Sequence, residues 1–157
     1  MEGKKTFVRD GRAPIPTKIA TSHIMSANRA KDTNPENILR KVLWANDIRG
    51  YRLHQKGLPG KPDIVFVSKK LAIFVNGCFW HRCPHCQLPL PKSNSDFWKN
   101  KFETNIARDE RNSRLLKEMG WRILIIWECQ ITKALPACVK LIAKKVGKWN
   151  GGVLACR

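Results

Sequence analysis

Eleven consecutive residues, Asn76 to Cys86, hold three thiols, two imidazoles and the adjacent aromatic pair Phe79-Trp80. Cysteine and histidine at such spacing suit tetrahedral Zn²⁺, a borderline-soft ion that takes thiolate sulfur and neutral imidazole without geometric demands of its own. Cys83-Pro84-His85-Cys86 is a C-x-x-C knuckle, Cys78 precedes it, and Cys129 follows the apolar run Trp121 to Trp127. Four thiolates from these positions can close one structural site and staple the loop to that run, with His85 as the alternative to Cys86 for the fourth ligand. The thioredoxin-like βαβ context that would favour redox chemistry is missing around the knuckle. The N-terminus lacks the apolar run of a secretory signal, so the chain is expected in the cytosol, where thiols stay reduced and six cysteines point to a metal before disulfides. Cys138 and Cys156 are left over as ordinary thiols.

Asp63 is the only acid between Arg49 and Lys92, and it opens a hydrophobic run directly after Pro62. A carboxylate there is unfavourable unless something binds it. One reading is a capping or ion-paired Asp at a loop end; the other is a hard cation such as Mg²⁺, which takes oxygen ligands and assists phosphate chemistry. Pro-Asp followed by a hairpin is the layout of many metal-dependent nucleases, which carry acid-x-Lys on the second strand. Phe74-Val75-Asn76 occupies that place here. In a nuclease of this kind His81 must supply the proton transfer, since imidazole is the side chain that ordinarily changes charge near neutral pH. Taken singly, His81 is also a candidate zinc ligand or loop residue.

Lys and Arg number 30 against 12 Asp and Glu, a net charge of +18. Such a surplus points to a polyanion, because cations that neutralise phosphates release condensed counterions; a solubilising surface is the alternative. After Glu128 there are six basic residues and no acidic one, so the C-terminal segment should carry a positive face. Phe79 and Trp80 lie between cysteines in a polar loop, where the basic context favours insertion between base pairs over core packing. Trp98, at helical spacing from Phe102, reads by default as core.

These groups need elements to hold them. Thr33-Asn34-Pro35-Glu36 forms a capping box and opens a helix with Ile38, Leu39, Val42 and Leu43 inward, ending near Asp47. Gly50 to His54 is a short strand candidate, and Gly57 to Pro62 a loop. Ile64–Val67 and Leu71–Val75 read as a buried hairpin joined by Ser68-Lys69-Lys70. A long helix is expected from Ser95 to about Met119, with Phe97, Trp98, Phe102, Ile106, Leu115 and Leu116 on or near one side and Gly120 as its stop. Trp121–Trp127 is a further strand, and a last helix over Lys133–Lys148 should bury Val139, Leu141, Ile142 and Val146. The order implies an α/β fold with a mixed central sheet flanked by helices. Residues 1–23 form a basic arm with too few apolar groups to pack alone, 24–150 a single domain, and 151–157 a tail. No stretch approaches the length of a membrane span.

Several stretches together resemble the Vsr, or very-short-patch-repair, DNA mismatch endonucleases. They are Ile24-Met25-Ser26, Lys31-Asp32-Thr33 with Glu36, Leu58-Pro59-Gly60-Lys61-Pro62-Asp63, Gly77-Cys78-Phe79-Trp80-His81, Phe97-Trp98, Asn105 with Arg108-Asp109, and Gly120-Trp121-Arg122 through Trp127-Glu128-Cys129. The resemblance implies a restriction-endonuclease-like core with a structural zinc site. It also implies a monomer that makes a Mg²⁺-dependent nick 5′ to the mispaired T of a T:G mismatch in double-stranded DNA. Such mismatches arise from deamination of 5-methylcytosine, and the nick starts very-short-patch repair, with other repair proteins as further partners.

Carried over by position, Asp63 binds Mg²⁺ with the Val75 backbone carbonyl as second contact, and His81 is the catalytic histidine. Glu36 belongs to the hydrogen-bond network around the site, and Asp109 orients His81. Phe79, Trp80 and Trp98 match intercalating aromatics, while Met25 and Asn105 match DNA-contacting positions. Where some members have a second histidine before Gly-Cys, this chain has Asn76, which hydrogen-bonds but does not titrate. The alternatives are a related sequence-specific nicking or restriction enzyme and a non-catalytic zinc module that binds DNA.

Overall fold

Alternation along three short apolar strands decides the architecture of this protein. The computed structural model describes residues 31–148; the basic arm, Met25, the 151–157 tail and Cys156 lie outside them. Helix α1 (Asn34–Ala45) starts as its capping box dictates. Thr33 is extended at the cap, and the Glu36 carboxylate turns back to accept the Thr33 amide at 3.2 Å, the Thr33 hydroxyl at 2.8 Å and the Asp32 amide at 3.0 Å. These bonds satisfy donors that a helix start otherwise leaves open. Leu39, Val42 and Leu43 then form the buried stripe.

The sheet has four strands in the order β1-β2-β3-β4. β1 (Arg52–Leu53) pairs antiparallel with β2 (Ile64–Phe66), Leu53 opposite Ile64. Val67 to Lys69 make a 3₁₀ turn and Lys70 is left-handed at φ 44°, so β2 ends one residue before the apolar run does. β3 (Leu71–Asn76) returns antiparallel, and β4 (Arg122–Trp127) joins it in parallel, Leu71 opposite Arg122 through Asn76 opposite Trp127. A parallel neighbour requires a crossover; α2 (Ser95–Glu118) provides it, and Gly120 at φ +76° stops it.

Because side chains alternate, Ile64, Phe66, Leu71, Ile73, Leu124 and Ile126 point to one face. There they meet α1 and α3 (Glu128–Val146) in the hydrophobic core. The opposite face carries Phe74, Asn76, Ile125 and Trp127 toward α2.

The helices differ from the sequence pattern in how much of their apolar surface is covered and in where the last one starts. Ile106 and Leu115 are 39% and 40% exposed, and Leu141 is 42% exposed. A 24-residue helix runs about 36 Å while a six-residue strand spans about 20 Å. α2 therefore overhangs the sheet and buries only Trp98, Phe102, Asn105 and Leu116. On α3 the buried stripe is Ile131, Cys138, Val139, Ile142, Ala143 and Val146, and Leu141 falls between its rows. That helix also starts at Glu128 instead of Lys133, directly after β4. Ala134 leaves the helical region at φ −146°, two residues before Pro136, which lacks the amide a continuous helix needs. The kink isolates a first turn that carries Cys129. Among the described residues, no helix is long and apolar enough to cross a membrane.

Candidate active site and metal centre

Asp63 is delivered by a turn whose bend favours glycine. Lys61 donates its amide to Leu58 at 3.1 Å, and Gly60 has φ +74°. A Cβ on Gly60 would lie 3.1 Å from Asn112 and 3.2 Å from the Phe74 ring. The chain then enters the sheet, with the Asp63 amide on the Ile73 carbonyl at 3.0 Å. One residue pair further, β2 has no backbone to offer, and the Asp63 side chain replaces it: Oδ2 accepts the Val75 amide at 2.7 Å. The N–H and C=O of one strand residue point to the same edge, so the Val75 carbonyl opens on the side where the carboxylate stands. Burial pushes the Asp63 carboxyl up to about 6; Glu36 adds to the rise, while the Val75 amide and the nearby His54 and His81 oppose it.

His54 is a site residue that the sequence reading passed over. Its Nε2 lies 3.4 Å from Asp32 Oδ1 and 3.8 Å from Glu36 Oε2, and its Nδ1 lies 3.9 Å from Asp63 Oδ1. One imidazole thus stands among three carboxylates and links the α1 cap to Asp63. The signal was the pairing of β1 with β2: Leu53 opposite Ile64 leaves His54 beside Asp63, and its amide bonds the Asp63 carbonyl at 3.2 Å. Asp32, Glu36 and His54 have the composition of a cation site. However, Glu36 is occupied by the cap, and Asp32 pairs with Arg40 at 2.8 Å, so the group reads as a positioning network. The Arg40 and His54 hydrogen bonds hold the Asp32 carboxyl below its usual range.

His81 stands in the turn after β3, its amide on the Gly77 carbonyl at 3.2 Å. Its Nδ1 is hydrogen-bonded to Asp109 Oδ2 from α2. Burial would raise the Asp109 carboxyl, but His81 and Arg108 outweigh it and hold it below the usual range. An ionised Asp109 favours the tautomer with its proton on Nδ1, which leaves Nε2 unprotonated in the neutral ring. His81 and Asp109 border an open cleft of about 380 Å³, lined also by Asn76, Ser113, Arg114 and Trp127.

The aromatics form one cluster. Phe79 meets Trp80, Trp98 and Phe102 edge-on at 5.2 to 5.3 Å between ring centres, and Arg82 lies 4.9 Å over Phe102. Trp98 is 6% exposed and belongs to the floor of the cluster, while Phe79 and Trp80 are half-buried. Asn105, expected at the DNA-facing surface, is instead buried and donates Nδ2 to the Trp80 carbonyl at 3.0 Å. One of its amide donors is thus used inside the protein, where it ties α2 to the Trp80 turn.

Cys78, Cys83, Cys86 and Cys129 place their sulfurs within 4.8 Å of one another, and His85 is outside the group. Cys83 and Cys129 Sγ are 3.7 Å apart. Four sulfurs about 2.3 Å from a common ion would be about 3.8 Å apart in a tetrahedron, so this spacing fits Zn²⁺. Burial pushes the Cys78 thiol far up. Cys83 goes the other way: burial opposes it, but the Cys86 and His85 amides with the Cys129 and Cys78 thiols hold it below its ordinary value, as a thiolate ligand requires. The kinked first turn of α3 brings Cys129 in, its amide 3.3 Å from Cys78 Sγ, and Glu128 accepts the Cys78 amide at 3.2 Å.

A family model described as DNA mismatch endonuclease Vsr matches residues 14–88. The chain is 45% identical over 111 residues to the Type II nicking enzyme V.XorIIP of Xanthomonas oryzae pv. oryzae, covering 70% of this chain and 80% of that protein. It is 33% identical over 141 residues to the DNA mismatch endonuclease Vsr of Escherichia coli (strain K12), 89% of each. The Type II nicking enzyme V.NmeAIP of Neisseria meningitidis is 38% identical over 110 residues, 70% of this chain and 78% of that protein.

Proposed function

This chain belongs to the Vsr family of DNA mismatch endonucleases, and from that premise we propose that it nicks one strand of duplex DNA 5′ to the mispaired T of a T:G mismatch. The observation that carries the reading is the convergence of a desolvated, strand-anchored Asp63 with the His81–Asp109 pair. A carboxylate held near neutrality in its titration, beside an outward backbone carbonyl, is an oxygen donor set that suits Mg²⁺. Asp63 and the Val75 carbonyl would hold it, and the ion would stabilise charge developing on the phosphate.

The protein's own groups divide the remaining work. His81 Nε2 handles the proton of the attacking water or of the leaving oxygen, and Asp109 keeps the ring in the tautomer and orientation that this needs. Glu36, Asp32 and His54 hold the carboxylate side of the site in place. The Cys₄ cluster, with Zn²⁺, makes the loop rigid on both sides of His81, so that Phe79 and Trp80, seated on Trp98, meet the base stack as a preformed wedge. The antiparallel hairpin leading into a parallel fourth strand fits a restriction-endonuclease-like core. A net charge of +18 supports association with duplex DNA, which the enzyme works on as a monomer.

Nicking of matched duplexes bearing T:G, T:A or C:G at one position, with Mg²⁺ and with EDTA, tests this. Cleavage of the T:G duplex alone, abolished by EDTA, is expected. A second reading rests on the names of two relatives, both Type II nicking enzymes: cleavage at a sequence whether or not it is mispaired. Equal nicking of T:G and fully paired DNA would establish that reading and remove the first.

A further inference from the structure

Asn76 ends β3 with a side chain that the fold buries and then leaves unused. The residue is 9% exposed, and its amide makes no hydrogen bond to any described residue. A primary amide brings two donors and an acceptor, and a buried one is normally paired within the protein. It is not walled in: among the described residues, the one fully inaccessible side-chain nitrogen or oxygen without a partner is Arg82 Nη1. The Asn76 amide therefore opens on the cleft, whose wall it shares with His81 and Asp109.

Its place along the strand is informative. Asn76 follows Val75, the residue whose amide holds Asp63, and alternation turns it to the α2 face, where His81 meets Asp109. The strand opposite contributes Trp127 in register and leaves the end of β3 open. The amide thus shares the wall of the cleft with the imidazole, one residue along β3 from the amide that holds Asp63. The acids that face the cleft, Asp109 and Glu110, have His81 and solvent, and neither is bonded to Asn76. The missing partner is an acceptor that arrives from outside.

We propose that Asn76 is a substrate-contacting residue, its side-chain N–H donating to a non-bridging oxygen of the scissile phosphate. The assignment rests on the nuclease reading and deepens it. The step is hydrolysis: water oxygen bonds phosphorus, one phosphorus–oxygen ester bond breaks, and the proton lost by water is balanced by the one gained on the leaving oxygen. Asn76 gains and loses nothing in this exchange. A neutral, preorganised donor becomes more effective as charge builds on the oxygen it faces. It works at any pH where the chain is folded, which a second titrating group would not.

Single-turnover nicking of a T:G duplex by the full zinc-loaded chain tests this, with a phosphorothioate of each stereochemistry at the scissile position. Removing one such donor lowers the rate about 10²-fold, so Asn76→Ala is expected to show that loss with unchanged duplex affinity and zinc content. Asn76→Asp keeps the shape, removes the donors and adds a repelling charge, and should lose at least as much; wild-type activity in Asn76→Asp would overturn the proposal. In the parent chain, the slowing from one sulfur isomer should be relieved by Mn²⁺, which reports the metal contact. The slowing from the other should vanish in Asn76→Ala, because the donor that sensed that oxygen is gone. A wild-type rate in Asn76→Ala, or equal slowing of both isomers in parent and variant, overturns the assignment and leaves the nuclease reading standing. A parent chain that nicks no duplex in Mg²⁺ overturns both.

Discussion

Asp63 Oδ2 accepts the amide hydrogen of Val75 at 2.7 Å, so a side chain continues the β2–β3 ladder where the backbone of β2 has turned away. That bond fixes the carboxylate against the strand, and desolvation keeps its acid form populated to about pH 6. The raised value means that the folded chain binds the proton more tightly than the unfolded one. The ionised form therefore lowers stability, fully above the folded pKa and not at all below the unfolded one. A rise from 3.8 to about 6 corresponds to a loss on the order of 3 kcal/mol at pH 7.5. Asp63→Asn should abolish nicking while raising the melting temperature of the metal-free protein by several degrees at pH 7.5, and by little at pH 4. Calorimetry at both pH values with a nicking assay checks it; a variant that still nicks removes Asp63 from the reaction.

Glu36 stands close enough to Asp63 to raise its pKa. Replacing it by Gln removes that charge while retaining an oxygen for the cap, so the acid limb of the nicking rate should move to lower pH. Glu36→Ala also deletes three hydrogen bonds at the start of α1 and should destabilise the fold by about 1–3 kcal/mol. A pH–rate profile of Glu36→Gln that overlays the parent would disconnect the cap from the site.

The Asp109 carboxylate sits on the Nδ1 side of His81. Asp109→Asn places an amide there that can stabilise the other tautomer, and single-turnover nicking should fall by at least about 10²-fold, with DNA affinity kept. The loss should appear in the rate at saturating DNA. If it appears in binding alone, Asp109 is a scaffold residue.

Cys86 is in the sulfur group and His85 is outside it. Cys86→Ser should reduce bound zinc from about one equivalent and lower thermal stability, since structural zinc contributes folding energy directly. His85→Ala should keep the full equivalent. Zinc retained in Cys86→Ser and lost in His85→Ala, read by metal analysis of the purified proteins, would reverse the ligand assignment.

How much of this was readable in the chain depends on the range of the interaction concerned. The Thr33–Glu36 box, the Gly120 stop and the hairpin from Ile64 to Val75 are written in neighbours a few residues apart, where capping chemistry, glycine's backbone freedom and β-branched runs act locally. The reach of α3 back to Glu128 was obscured by Pro136, which breaks the helix without ending it. Exposed Ile106, Leu115 and Leu141 follow from how far each helix overlaps the sheet, a length comparison that no single segment contains.

Residue types and spacing by themselves determined the chemistry on offer: a lone acid after Pro62, an imidazole among thiols, and a Cys-x-x-Cys knuckle with two further thiols. Tertiary structure decided which of them meet. It gathered the Cys86 sulfur with those of Cys78, Cys83 and Cys129 and left His85 outside the group, the first turn of α3 bringing Cys129 in. It turned Asn105 inward to the Trp80 carbonyl, brought His54 among three carboxylates through β1–β2 pairing, and left the Asn76 amide open on a cleft. The physical reason is that a ligand set or hydrogen-bond network is a condition on distances between atoms, and strand register and helix placement set those distances across separations that local propensity does not reach.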